Sequence, residues 1–142
     1  MLVDTILRTK GVIVHTLPDT GTLADAVTAL NQHNIGALVI TDTSGGIVGM
    51  LSERDIVHRL GSNPADALNL RVADCMVRDV VTGTMATSVD EVMERMTDFH
   101  IRHMPIVEDG RLVGIISIGD VVKSRLEAVE QEASALREYI AS

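Results

Sequence analysis

Short apolar blocks alternate with polar turns along this chain, and the spacing of the apolar positions changes from block to block. Leu23, Ala26, Val27 and Leu30 fall at i, i+3, i+4 and i+7, the stripe of an amphipathic helix, and Val89, Val92, Met93 and Met96 repeat it. Thr22 with Asp25 and Ser88 with Glu91 precede these stripes as capping boxes. The β-branched run Val12-Ile13-Val14 predicts a short strand ahead of the first helix, with Val80-Val81-Thr82 as its counterpart. Residues 37–41 and 47–51 predict a hairpin turning at Gly45-Gly46, and residues 104–107 and 112–116 predict another turning at Gly110. A second helix begins after each hairpin, at Ser52 and at Ser117.

The chain therefore holds a β-α-β-β-α unit twice, at an offset of about 65 residues, with one extra residue in the first copy near Gly45. Residues 2–9 predict a lead-in helix with Val3, Ile6 and Leu7 as its apolar side. Ser62-Asn63-Pro64 breaks the chain between the copies, and a short helix is expected around residues 70–76. The resulting division is residues 1–66 for the first repeat with its lead-in helix, 67–125 for the second, and 126–142 for a C-terminal helix. In that last segment Leu126, Val129, Ala133, Leu136 and Ile140 form a heptad seam, which either pairs with a second copy or packs back on its own domain.

Composition narrows the function. A chain of 142 residues with 46% apolar positions is long enough for a core without disulfides. The single Cys75 and the lack of a signal-like apolar run predict a reducing, cytoplasmic location. No apolar block approaches the length of a membrane span, so no membrane partner is expected. A net charge of −8 without a basic face argues against nucleic acid, and Phe99 and Tyr139 alone make no base-stacking platform. No nucleophile with its base, paired carboxylates or Walker loop stands out, so the chain is not expected to be an enzyme. His100 and His103 form a His-x-x-His pair with no third ligand at suitable spacing, so no metal is expected.

Two features are more specific. Each unit closes on Gly, two apolar residues, and Ser-x-x-Asp: Gly49 to Asp55 with one offset residue in the hairpin, and Gly114 to Asp120. The second also carries Ile101-Arg102-His103-Met104-Pro105-Ile106-Val107 before its hairpin. Over roughly residues 8–125 the chain resembles a tandem pair of CBS domains, often called a Bateman module, of the small stand-alone bacterial type. The resemblance implies an α/β (α+β) fold of two β-α-β-β-α CBS repeats related by a pseudo-twofold axis, with two candidate clefts. It also implies no required cofactor, and an adenine ligand such as AMP, ADP, ATP, NAD(H) or S-adenosylmethionine. A homodimer and an unidentified regulated protein are the implied macromolecular partners. The alternative is a structural dimerisation or protein-interaction module with degenerate clefts.

In such a module Asp55 and Asp120 are the ribose candidates, since a carboxylate accepts strong hydrogen bonds from vicinal hydroxyls. Ser52 and Ser117 stand three residues earlier, at helix starts whose free N–H groups and dipole favour an anion. The same Ser-x-x-Asp is also an ordinary helix cap. Arg102 and His103 are the leading phosphate candidates, with Arg54, Lys123 and Arg125 behind them. Val80, Val81 and Thr82 are candidates to read adenine with backbone edges, with Met104 and Pro105 as apolar walls. Gly36 and Ala37 stand where the second repeat has Arg102 and His103, which predicts a better-equipped site in the second repeat.

Overall fold

The structure, a computed structural model, describes residues 1–141. Its elements follow the order α1 (Val3–Lys10), β1 (Thr16–Pro18), α2 (Leu23–His33), β2 (Ala37–Thr41), β3 (Ile47–Ser52) and α3 (Glu53–Ser62). A 3-10 turn (Ala67–Asn69) and the short α4 (Val72–Cys75) lead to α5 (Val89–Phe99), β4 (His103–Glu108), β5 (Arg111–Ser117) and α6 (Ile118–Ala141). Mixed α/β layers thus form around two small sheets, β1-β2-β3 and β4-β5.

Local chemistry accounts for most boundaries. The Thr22 hydroxyl accepts from the Asp25 N–H while the Asp25 carboxylate accepts from the Thr22 N–H, a complete capping box. Ser88 caps α5 with its hydroxyl, through the Glu91 N–H. Asn34 and His100 end the two helices in the left-handed conformation at matching positions. Positive φ at Gly45, and at Asp109 and Gly110, turns the two hairpins, and both carry a register shift, after Ile40 and after Ile106. Leu23, Ala26 and Leu30 are buried on α2, as are Val89, Val92 and Met96 on α5; Val27 and Met93 lie at the rim, because each narrow sheet covers only the centre of its helix.

The first strand lies later than the β-branched run suggests. Val12 and Ile13 are 60% and 79% exposed, and the strand is Thr16–Pro18, paired parallel to residues 39–41. Leu17, packed on the first core, decides the position, not β propensity. In the second repeat the equivalent strand shrinks to one parallel bridge, Gly83 to Ile106, and residues 80–82 take no regular form. A Cβ on Gly83 would stand 3.3 Å from the side-chain ends of Ile106 and Met104, a tight contact that glycine avoids.

The lead-in segments are exchanged between the repeats. Val3, Ile6 and Leu7 of α1 are buried in the second core, with Val89, Val92 and Ile116. Val72 and Cys75 of α4 belong to the first core, with Leu23, Leu38 and Leu51. The backbone ties match: Val3 N–H donates to the Thr87 carbonyl at 2.9 Å and Val72 N–H to the Gly21 carbonyl at 3.0 Å. Leu7 fits over Gly114 as Met76 fits over Gly49. The sequence division groups the lead-in helix with the first repeat; its side chains pack on the second.

Val121 and Ser124 are the last buried residues of α6. Beyond them Leu126, Val129, Leu136 and Ile140 are 59–75% exposed, so the tail does not pack back on its own domain.

Candidate ligand-binding cleft

A cavity of about 420 Å³ opens between the repeats, within the range of small-ligand sites. The first repeat contributes Gly36, Ala37, Met50 and the start of α3, Ser52 to Asp55. The second contributes Val77, Asp79, Val80 and Val81 from the segment after α4, and Phe99 to His103 from the end of α5 into β4.

This places the candidates differently from their grouping by repeat. Arg102 and His103 share the cavity with Ser52, Arg54 and Asp55 of the other repeat, and Ser117 and Asp120 do not line it. Gly36 and Ala37 line the same cavity as Arg102 and His103, so the departure between the repeats makes the two sides of one cleft unlike. His103 stands at the junction of the halves. Its backbone pairs with Ser117, and a Cβ built on Gly36 would meet its ring at 3.4 Å.

The Ser-x-x-Asp pairs act as helix caps in both repeats. Asp55 Oδ2 accepts from the Ser52 N–H at 2.8 Å and from its hydroxyl at 3.0 Å, and the Asp55 N–H donates to Ser52 Oγ at 3.4 Å. The cap uses one carboxylate oxygen of Asp55, Oδ2, and leaves Oδ1 outside it, on a residue that lines the cavity. The cap and a ligand contact are compatible, because they use different atoms. The helix start is less open than the sequence suggests. Glu53 N–H donates to the Gly36 carbonyl at 3.0 Å, so the Arg54 N–H is the remaining donor of the first turn.

Several adenine and phosphate candidates fall elsewhere. The Thr82 carbonyl accepts from Arg95 at 2.7 Å. Met104 is fully buried in the second core, and Pro105, also buried, accepts the Gly83 N–H at 3.0 Å within the sheet. Both are core residues, as apolar strand positions usually are. Lys123 is exposed on α6 away from the cavity, and Arg125 pairs with Asp90 at 3.0 Å.

Asp120 has a different partner from Asp55. Its Oδ2 accepts the Ser117 N–H at 2.8 Å and the Lys10 ammonium at 2.6 Å. Burial alone would raise this carboxyl, but the Lys10 and Ser117 hydrogen bonds outweigh it and hold the group below its ordinary value. His103 is pushed below its ordinary value by burial first and by the Lys10 charge second, against the pull of Glu53 and Asp120. Its imidazole is neutral at pH 7 and offers one N–H.

Sequence reasoning missed Glu53, Asp79, Phe99 and Lys10. Asp79 and Phe99 adjoin residues of the cavity wall, and that adjacency was a usable signal. Lys10 had none, because its contact with Asp120 spans the whole chain. The cavity wall carries three carboxylates, Glu53, Asp55 and Asp79, against two guanidiniums, Arg54 and Arg102.

The CBS domain family profile matches this chain twice, over residues 7–62 and 72–127. The CBS domain-containing protein CBSX3, mitochondrial, of Arabidopsis thaliana is 34% identical over 123 residues, 84% of this chain; the chain spans 60% of that relative's length. The crystal structure of the CBS-domain containing protein ATU1752 from Agrobacterium tumefaciens superposes with a TM-score of 0.85 at 40% identity, covering 87% of this chain and 92% of that one. The CBS domain pair of protein MJ0100, crystallised in complex with 5′-methylthioadenosine and S-adenosyl-L-methionine, gives a TM-score of 0.78 at 30% identity, covering 92% and 98%.

Proposed function

The chain belongs to the CBS domain family, and on that premise we propose that it is a non-enzymatic sensor that takes an adenosine ligand in the cleft of Asp55. The observation that carries the reading is the convergence of Asp55, Arg54, Arg102 and His103, from both repeats, on one cavity. A ligand there touches both halves and biases their packing, which is what a sensor requires. The ligands of MJ0100 support an adenosine moiety.

In this reading Asp55 Oδ1 accepts from the ribose hydroxyls, with Ser52 holding the carboxylate in place. The base lies against Val80, Val81 and the ring of Phe99, which lines the same cavity. Arg54, Arg102 and the His103 N–H hold a 5′ phosphate. AMP fits these groups; ADP, ATP and NADH are the same chemistry with a longer anion. Isothermal titration with AMP, ATP, NADH, S-adenosylmethionine and 5′-methylthioadenosine tests it. At least one should bind, and Asp55→Ala should weaken binding by about 1.5–3 kcal/mol, the range for hydrogen bonds to a charged group. Absence of binding by all five at millimolar concentration would refute it.

A second reading, assembly through the tail, rests on the exposed seam of α6. With Leu126, Val129, Ala133, Leu136 and Ile140 as core positions, a parallel pair would set Arg125 near Glu130 and Glu132 near Arg137 of the second copy. Both contacts are of opposite charge, so the tail is proposed to form a parallel homodimer. The two readings are compatible, since α6 leaves the cavity free.

A further inference from the structure

The two clefts are built from equivalent pieces but closed differently. In the first, the chain after Met76 is extended, and Val77 exchanges two backbone hydrogen bonds with Met50, at 2.8 and 2.9 Å. Asp79 and Val80 then run along the cavity wall. In the second, α1 stays helical through Lys10, and among the described residues no such backbone bridge forms at Ile115, the counterpart of Met50. The Lys10 ammonium stands in place of the Val77 N–H. It donates to the Ile115 carbonyl at 2.8 Å and to Asp120 Oδ2 at 2.6 Å.

We infer that Lys10 is an internal competitor for the second cleft: its ammonium sits on the capping oxygen of Asp120 and neutralises the carboxylate that would otherwise hold a ribose, so an adenosine ligand fills the first cleft alone unless that contact is broken. The contact is partly shielded, with the Lys10 and Asp120 side chains 33% and 22% exposed, so water weakens it less than a surface pair. Val3, Ile6 and Leu7 anchor α1 in the second core, so the ammonium is delivered at the high effective concentration of a tethered group. The first cleft has Asp79, an anion, in the segment corresponding to the end of α1, and the donors on Asp55 Oδ2 are the uncharged N–H and hydroxyl of Ser52, so among the described residues Asp55 keeps its charge unpaired.

This inference rests on the adenosine reading of the first cleft, and stoichiometry separates the two. The full chain is titrated calorimetrically with AMP and, separately, with 5′-methylthioadenosine. Wild type should bind one equivalent, Lys10→Met two, and Lys10→Arg, which keeps the cation, one. Asp55→Asn should abolish the wild-type site, while Asp120→Asn should leave it intact. Circular dichroism establishes that each variant is folded; if Lys10→Met is not, the contrast of Asp55→Asn with Asp120→Asn decides. Two equivalents in wild type, one or none in folded Lys10→Met, or loss of the wild-type site in Asp120→Asn would each overturn the inference while leaving adenosine binding standing. No binding by wild type or Lys10→Met would overturn both.

Discussion

Replacing Gly114 by alanine should dislodge α1, and the size of the effect follows from its contacts. A Cβ at Gly114 would stand 2.6 and 2.9 Å from the two methyl carbons of Leu7 and 3.3 Å from its Cγ. Carbon atoms in contact prefer about 3.5–4.0 Å, so Leu7 must retreat by about 1 Å. It has nowhere to go: it is 1% exposed, and the helix that carries it is fixed by Val3, Ile6 and the Thr87 carbonyl. Gly114 is not among the glycines with positive φ, so the backbone itself accepts alanine and the collision is the whole cost. Overpacking of this kind costs about 1–3 kcal/mol. At about 2–4 °C per kcal/mol for a chain of this size, Tm should fall by roughly 2–12 °C. A double-mutant cycle isolates the cause. Leu7→Ala alone should cost about 2–5 kcal/mol, and Gly114→Ala added to it should cost little, because the new methyl enters the space left by Leu7. The coupling should be about 0.5–3 kcal/mol by denaturant melts. Additive penalties, or an unchanged Tm for Gly114→Ala, would refute the packing of α1 on the second core. The displaced helix also carries Lys10, so Gly114→Ala should shift ligand stoichiometry in the direction of Lys10→Met.

Three further outcomes are expected. AMP binding should move the His103 titration upward, because a phosphate beside it stabilises the imidazolium that burial and Lys10 disfavour; the ring resonances of His103 in NMR titrations read the shift, and none is expected with 5′-methylthioadenosine. Without ligand, stability should fall as pH drops below about 6.5, because the unfolded chain takes a proton at His103 that the folded chain resists; Asp120, whose folded value is depressed, adds stability above about pH 3.9 that is lost as pH falls through that folded value, and urea melts across pH 3–8 measure both. Val129→Glu with Leu136→Glu should convert a dimer to a monomer in light scattering while leaving the core transition in place, since both side chains are exposed within one chain.

What was legible in the sequence was local. Capping boxes, hairpin glycines and helical stripes involve residues within a few positions of one another, so their spacing predicted the elements and the duplication. Pairings that depend on where a distant segment arrives left weaker traces. Val12 to Val14 had the composition of a strand, yet Leu17 found the core and drew the strand onto its own neighbours. Arg102 and His103 share a repeat with Asp120, but the pseudo-twofold arrangement opens the end of α5 toward the other repeat's α3, so they line a cavity with Asp55, while His103 also feels the charge of Asp120.

The same exchange accounts for the inequality of the clefts. A duplicated sequence gives each Ser-x-x-Asp the same cap, because the cap is made within the motif. What faces the cap is supplied by the lead-in segment of the opposite half, and the two lead-ins differ. One ends after Cys75 and runs extended past the cavity; the other stays helical and ends in Lys10. Equivalent motifs therefore do not make equivalent sites. The chain's asymmetry lies in the segments before the repeats, and a substitution at residue 10 reaches a carboxylate 110 positions away without altering either repeat.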